Sequence, residues 1–264
     1  MQDFSAELER AIGASFVRRV EAHRVLASTN DRAMELAGRH PLETPVLILA
    51  EEQTAGRGRG ANRWWAGPGA LTFSLVIEPE LADIVAEHWP RVSLATGLSV
   101  CEVLQDELPH VECGLKWPND VWLAGRKVCG ILVEIPPARA GVPRRMVIGI
   151  GLNVNNSLAE APDDVQARAT SLCDSGGRPF DVPSVLLQLL LRIEQNLESL
   201  AAHDPQLGER WQRACTLRGR PIEVQLGERT LRGIARGIQH DGSLLVDVDG
   251  REERLWGGVL TLLE

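Results

Sequence analysis

The chain has 264 residues, of which 44% are hydrophobic and 24% charged, and its formal net charge at pH 7 is -8. These values are ordinary for a globular protein of one or two domains whose core needs no disulfide bonds. The acidic balance disfavours broad binding to nucleic acid or to an anionic membrane, since both favour a basic protein face. No signal-peptide pattern and no apolar run of roughly 18 residues occurs, so we expect a cytoplasmic protein without a membrane segment.

The first pattern in chain order is a short strand followed by a helix that opens near Ser28. Ser28 and Asp31 have the spacing of a helix-capping box, and Gly38 follows the predicted helix end. Residues 45–50 (PVLILA) then form a buried type of strand that leads into a Gly-Arg stretch. Residues 70–79 (ALTFSLVIEP) are predicted as the next strand.

A helix is predicted from Pro90 over residues 90–108, where apolar residues recur at helical spacing. Two strand regions follow, at 115–135 and 145–156, and Ala124-Gly125 marks a hairpin turn within the first. Residues 183–202 have the apolar face and start signals of a long helix.

After Trp211 the pattern changes to short strands separated by glycine-containing turns. That spacing is typical of a small antiparallel barrel of roughly 50 residues. We therefore predict a mixed α/β main domain over residues 1–214 and a small all-β domain over residues 215–264.

Three polar stretches lie beside predicted strands: Ser28-Thr29-Asn30, residues 53–63 with the sequence GRGRG inside them, and residues 116–130 (KWPNDVWLAGRKVCG). Each has a purely structural explanation, namely helix capping, a flexible surface loop and a solvated turn that carries Lys127. Together they supply cations for phosphate oxygens, amides and hydroxyls for a neutral polar ring, and glycines for close approach. No Ser-His-Asp arrangement, Walker P-loop or GxGxxG motif is present, so the residues indicate positioning and charge neutralisation.

The five cysteines form no CxxC pair, and the six histidines show no metal-ligand spacing. Reduced, mostly buried thiols are the expectation for such cysteines in a reducing compartment. A zinc site held by the protein is not expected.

Five segments occur in the same order as in biotin–protein ligases. They are STN (28–30), EEQTAGRGRG (51–60), KWPNDVWLAGRKVCGILVE (116–134), GIGLNVN (149–155) and the tail segment WGGVLTL (256–262). The chain resembles this family over nearly its whole length. It is similar in particular to the monofunctional ligases, which lack the winged helix-turn-helix of the ligase-repressors.

The resemblance implies an α+β fold. Residues 1–214 would form a class II synthetase-like catalytic domain of the biotin/lipoate ligase type, with a mixed sheet and flanking helices. Residues 215–264 would form a C-terminal SH3-like β-barrel.

The implied reaction has two steps. The carboxylate of biotin attacks the α-phosphate of ATP, giving biotinyl-5′-AMP and pyrophosphate. A lysine on a biotin carboxyl carrier protein or domain, from acetyl-CoA carboxylase or a related carboxylase, then accepts the biotin and releases AMP. The expected cofactor is Mg²⁺ that arrives with ATP, near Asp120 and without a site of its own in the protein, because this ion prefers phosphate oxygens. A monomer or homodimer that binds neither nucleic acid nor membrane is expected.

The resemblance also implies roles for individual residues. The implied catalytic residues are Lys127, Arg57 and Arg59. The implied biotin-binding residues are Ser28, Thr29, Asn30, Gln53, Gly56, Arg57, Gly58, Arg59, Lys127, Gly130 and Leu132. The implied ATP- and adenylate-binding residues are Arg57, Arg59, Lys116, Asn119, Asp120, Lys127 and Asn153.

The sequence departs from the family pattern in two places. After Gly60 the loop reads Ala61-Asn62-Arg63 instead of a further Arg-Gly-Arg or Arg-Gly-Lys run, and WWAGPG (64–69) replaces W-x-S-P. An adenine-covering segment is expected within residues 157–172, which contain no Trp or Phe. We expect residues 54–64 to be mobile without ligand and ordered with biotin or its adenylate.

Three other functions remain open at this point. Lipoate- or octanoate-attaching enzymes share the core architecture and the carrier lysine target. A nucleic-acid-binding module could use Arg57, Arg59 and the barrel. A non-catalytic biotin-binding protein is the third alternative, which the presence of Lys127 and both arginines disfavours.

Overall fold

A computed structural model describes residues 12–159 and 161–263. Its larger sheet consists of β1 (Arg19–Leu26), β2 (Val46–Gln53), β3 (Leu71–Ile77), β4 (Cys113–Lys116), β5 (Asp120–Leu123), β6 (Arg126–Glu134) and β7 (Met146–Leu152). The strands lie in the order β1-β2-β3-β7-β6-β5-β4. Only β1 and β2 are parallel neighbours, so the sheet is mixed, as predicted.

The α-helices are α1 (Thr29–Ala37), α2 (Val92–Glu107), α3 (Asp163–Gln166), α4 (Leu172–Gly176), α5 (Val182–Ala201) and α6 (Pro205–Ala214). The predicted start of α2 at Pro90 is two residues early, because Pro90 lies in a 3₁₀ helix over Ala86–Arg91. Helix α6 was not predicted, although Asp204 caps it through the amide of Gln206. Within the described ranges, no helix has both the length and the apolarity needed to cross a membrane.

The two faces of the larger sheet differ in what covers them. Successive side chains of a strand point to opposite faces, so Phe73 and Leu75 of β3 enter the main core, which also takes in apolar side chains of α2, α5 and α6. Val76 and Val147 point to the other face and pack against α1. Ser74 lies on that same face, buried against the first turn of α1.

The smaller sheet consists of β8 (Pro221–Leu226), β9 (Arg229–Ile238), β10 (Leu244–Val248), β11 (Arg251–Leu255) and β12 (Val259–Leu262). Its strands lie in the order β11-β10-β9-β8-β12, and all neighbours are antiparallel. This arrangement is consistent with the expected SH3-like domain and confirms the α+β class. The domain boundary after residue 214 stays a prediction.

Specific contacts join the two sheets. The amide of Thr216 donates to the carbonyl of Leu115 at 2.9 Å, so the chain leaving α6 pairs with β4. Trp117, which is 2% exposed, donates its indole Nε1–H to the carbonyl of Gly242 at 3.1 Å. The smaller sheet is therefore packed against the KWPND end of the larger one.

Candidate active site

The N-terminus of α1 presents a buried cluster of polar side chains. Ser28 caps the helix by accepting from the amide of Asp31, which confirms the predicted start. Thr29 donates from its backbone N–H to Gln53 Oε1 at 2.7 Å. The Ser74 hydroxyl lies within hydrogen-bond distance of Thr29 Oγ1 at 2.8 Å and of Asn30 Oδ1 at 2.7 Å. Hydroxyl, amide and carboxamide groups thus converge beside the sheet face that α1 leaves uncovered.

Glycines form the floor of this face on β6 and β7. Gly130 pairs with Gly151, and Leu132 pairs with Gly149. A Cβ at Gly149 would lie 2.0 Å from Asn30 Oδ1, so the Asn30 carboxamide occupies the space that a side chain there would need. The glycines therefore allow polar groups and a ligand to approach the backbone closely.

Trp64 lies across the remaining part of the floor. A Cβ at Gly151 would come within 2.4 Å of its indole ring, and a Cβ at Gly130 within 3.3 Å. The indole Nε1 is buried and has no hydrogen-bond partner among residues 12–159 and 161–263. A buried donor without a partner carries a free-energy cost.

Lys127 reaches the same floor from the start of β6. Its Nζ would be 3.2 Å from a Cβ at Gly130 and lies 5.8 Å from the centre of the Trp64 ring. Asp120 Oδ1 is 2.7 Å from Nζ, so the ammonium group is held by an ion pair. With its side chain 34% exposed, Lys127 remains open to an anionic partner.

The GRGRG loop (residues 54–64) forms a small hairpin. Arg57 and Arg63 form a β-bridge, and the amide of Gly58 donates to the carbonyl of Asn62 at 2.8 Å. The Arg57 guanidinium is bound by Glu134 and Asp31, and its pKa is raised chiefly by the hydrogen bond to Glu134.

Arg59, at the tip of the loop, lies beside the smaller sheet. It donates to the carbonyl of Gly258 at 2.7 Å. Lys116, at the end of β4, contacts the same part of the smaller sheet, the start of β12. Its Nζ is 3.5 Å from the carbonyl of Leu260. Burial lowers the pKa of Lys116, and the nearby Asp120 carboxylate opposes that effect.

The two asparagines implied in nucleotide binding are engaged in the fold. Asn119 Nδ2 donates to the carbonyl of Ile131 at 2.8 Å. Asn153 is 3% exposed, and its Nδ2 donates to the carbonyl of Thr170 at 3.0 Å. These contacts tie β5 to β6, and β7 to the segment before α4. Asn153 therefore holds the backbone of Thr170 next to the end of β7.

The structure brings most of the sequence-predicted residues to one face and adds others. Ser28, Thr29, Asn30, Gln53, Lys127, Gly130 and Leu132 lie at or beside the glycine floor, and Gly56, Arg57 and Gly58 belong to the adjoining loop. Arg59 and Lys116 reach the smaller sheet, whereas Asn119 lies against β6. The residues at the site to which the sequence analysis assigned no role are Ser74, Trp64, Gly149 and Glu134. The alternation of β3 could have indicated Ser74, since a polar residue inside an apolar strand is unusual.

The cysteines are reduced, and the described residues contain no cluster of metal-ligating side chains. All five cysteines are free, and Cys101 and Cys129 are fully buried, which raises the pKa of both thiols. In the part of the chain that the structure describes, no group of three or more His, Cys, Asp or Glu side chains could hold a metal ion.

A mixed sheet with a polar, glycine-floored face, followed by a small antiparallel sheet, places the protein in a known class: the chain belongs to the biotin/lipoate A/B protein ligase family, whose sequence profile matches residues 22–153. The profile of the biotin protein ligase C-terminal domain matches residues 218–258, which assigns the chain to the biotin branch of that class.

Individual relatives agree with this assignment. The biotin–[acetyl-CoA-carboxylase] ligase of Mycobacterium tuberculosis is 36% identical over 209 residues, covering 78% of this chain and 74% of that protein. The enzyme of the same name from Paracoccus denitrificans is 32% identical, covering 83% of this chain and 90% of that protein. The structure of biotin protein ligase from Aquifex aeolicus in complex with biotin and ATP matches with a TM-score of 0.79 and 28% identity. The match covers 93% of this chain and 99% of that one.

Proposed function

We propose that this protein is a biotin protein ligase that activates biotin with ATP and transfers it to a lysine of a biotin carboxyl carrier protein or domain. The observation that carries the proposal is the placement of the Lys127 ammonium over Gly130, on the sheet face that also carries the Thr29–Gln53–Ser74 cluster. The cluster suits a neutral polar ring, and the Lys127 ammonium suits the carboxylate at the end of an attached chain, so one ligand could bind both. Family membership supports the same activity.

The difficulty of the first step is electrostatic, because a carboxylate must approach a polyphosphate. Lys127 is suited to the place where the two anions meet, since its ammonium is partly exposed and already held by Asp120. Arg59 and Lys116 add positive charge on the side that faces the smaller sheet. Their hydrogen-bond acceptors among the described residues are the backbone carbonyls of Gly258 and Leu260, which phosphate oxygens would outcompete, and the Lys116 ammonium also lies 5.0 Å from the centre of the Trp122 ring.

The ureido ring of biotin has two N–H donors and one carbonyl acceptor. Ser28, Thr29, Ser74 and Gln53 offer matching groups, because a hydroxyl both donates and accepts. The apolar part of the ligand would lie on the glycine floor, where Trp64 now lies. Trp64 must therefore shift when biotin binds.

Magnesium fits this site as a companion of ATP. Asp120 is the carboxylate that would contribute to its binding, and oxygen ligands are what the ion prefers. When bound, Mg²⁺ neutralises charge on the phosphates. Lys127, the partner of Asp120, would then be available to the substrate carboxylate.

Mass spectrometry of the activated product tests the function. The purified protein is incubated with MgATP and an equimolar mixture of biotin, lipoate and octanoate, and any acyl-adenylate is identified by its mass. Biotinyl-adenylate alone is the expected result. A lipoyl or octanoyl adenylate would move the protein to the sister activity, and the absence of any adenylate would leave a binding protein on a ligase scaffold.

The acceptor is tested in a second reaction. A biotin carboxyl carrier domain of acetyl-CoA carboxylase should gain the mass of one biotinyl group, which is biotin less one water, while AMP is released. The matched control is the same domain with its target lysine replaced by arginine, which should gain none.

A further inference from the structure

The two arginines of the GRGRG loop (residues 54–64) make different kinds of contact. Arg57 Nη1 donates to Asp31 Oδ1 at 2.8 Å and to Glu134 Oε2 at 2.9 Å, while Nη2 donates to Glu134 Oε1 at 2.6 Å. Arg59 donates to one neutral carbonyl, that of Gly258, and within the described ranges it forms no ion pair. Arg57 is thus held by two carboxylates, whereas Arg59 is held by none.

Charge makes Arg57 a poor partner for an additional anion. Arg57, Asp31 and Glu134 together carry a net charge of -1, so an incoming carboxylate or phosphate meets repulsion from both acidic groups. A bidentate arginine–carboxylate pair also has well-defined geometry, which suits it to holding a segment in place.

Glu134 holds two elements at once. It is the last residue of β6, the strand that also carries Lys127. Its Oε2 accepts from Asn30 Nδ2 at 2.9 Å as well as from Arg57. The carboxylate therefore joins the loop to the N-terminal turn of α1.

The base of the loop is where this anchor acts. Arg57 forms the bridge with Arg63, and the next residue, Trp64, donates its backbone N–H to the carbonyl of Gly56 at 3.0 Å. Fixing the Arg57 side chain to β6 therefore also fixes the backbone from which Trp64 extends over the glycine floor.

We infer that Glu134 is a positioning residue: with Asp31, it fixes Arg57 and so the base of the loop against biotin. The inference rests on the proposed function for its role in catalysis. The anchoring itself is a property of the ligand-free protein.

A double-mutant cycle tests the pair. The variants are Arg57→Met, Glu134→Gln and the double variant, together with Arg59→Met alone and combined with Glu134→Gln. Glu107→Gln is the matched control, since Glu107 and Glu134 are both 21% exposed and both bind an arginine. For each variant, KM for biotin and kcat for adenylate formation are measured, together with tryptic cleavage after Arg59 in the absence of ligand.

The expected result is coupling between Arg57 and Glu134. Each single variant should raise KM for biotin about tenfold, and the double variant also about tenfold, because both remove one interaction. Arg59→Met should lower kcat for adenylate formation. In the variant that combines it with Glu134→Gln, the two effects on kcat/KM should multiply, as for independent groups. Cleavage after Arg59 should be several times faster in Glu134→Gln than in Glu107→Gln, as roughly expected when a local anchor is lost.

Two results would overturn the inference. One is multiplication of the Arg57→Met and Glu134→Gln effects on KM to about a hundredfold, as for independent groups. The other is cleavage in Glu134→Gln at the rate of the control. If the wild-type protein forms no biotinyl-adenylate, the proposed function fails, and the cleavage comparison still decides whether Glu134 anchors the loop.

Discussion

Replacing Gly149 with alanine adds one methyl group, which should displace the Asn30 side chain from the candidate site. The new Cβ would lie 2.0 Å from Asn30 Oδ1 and 2.7 Å from its Cγ, which is closer than real Cβ contacts come, so one of the two groups must shift. Since Gly149 lies in the interior of β7, between β3 and β6, its backbone has little room to move. The Asn30 side chain must therefore leave its place.

The cost follows from what Asn30 gives up. Its Oδ1 loses the Ser74 hydroxyl, and its Nδ2 loses Glu134 and the carbonyl of Leu132. Leaving a buried polar group unsatisfied costs about 1–3 kcal/mol. Overpacking adds about 1–3 kcal/mol, so the free energy of unfolding should fall by about 2–6 kcal/mol. At about 2–4 °C per kcal/mol for a chain of this size, Tm should fall by at least about 4 °C.

Thermal unfolding and biotin titration calorimetry measure the two consequences. Gly149→Ala should lower Tm and weaken biotin binding at least about tenfold, the equivalent of one lost hydrogen bond at the site. Gly60→Ala would be strained by its positive φ, so Gly13→Ala is the control, because no atom of residues 12–159 or 161–263 lies within 4 Å of a Cβ there. A Gly149→Ala protein whose Tm stays within about 2 °C of wild type would refute the steric reasoning, since even the lower bound of the cost exceeds that shift.

Three further predictions concern other parts of the chain. Lys127→Ala should fold normally but slow biotinyl-adenylate formation by about 10²–10³-fold, the usual effect of removing one group that stabilises transition-state charge; near-normal pyrophosphate release would remove Lys127 from that role. Residues 54–64 should be cleaved by trypsin more slowly with biotin or its adenylate than without, and equal cleavage would contradict ordering by ligand. His88 is buried, and burial, with a further contribution from the positive charge of Arg91, lowers its pKa. Because the unfolded chain then binds the proton more readily, the free energy of unfolding should fall as pH is lowered through about 6.5. His88→Gln should flatten that dependence in urea titrations, and an unchanged slope would exclude His88 as its source.

Local signals predicted the elements well. Ser28 and Gly38 mark both ends of α1 because capping depends on residues close in sequence. Ala124 and Gly125 form the hairpin turn with positive φ angles of 49° and 75°, as the turn residues indicated. Segments such as these are determined by their own few residues.

Contacts between distant segments could not be predicted in this way. Glu134 contacts Arg57, 77 positions away in the sequence, and Asn30, 104 positions away. A single sequence contains no local pattern that predicts contacts over such separations. The position of Trp64 over Gly151 depends on the register of β6 and β7, which is set by the whole sheet. The resemblance to the family indicated which residues form the site. The structure adds which of these residues contact one another.

The position of Trp64 gives the protein an optical reporter of its own occupancy. Its indole rests on Gly151 and is 5.8 Å from the Lys127 ammonium, so its emission depends on both packing and a nearby charge. Trp117 and Trp211 are 2% and 1% exposed and are shielded from solvent. A ligand that displaces Trp64 therefore changes the emission of one of the seven tryptophans of the chain, and the part of the emission change that Trp64→Phe removes measures that displacement. Binding can be followed in real time without a label, before any chemistry has taken place.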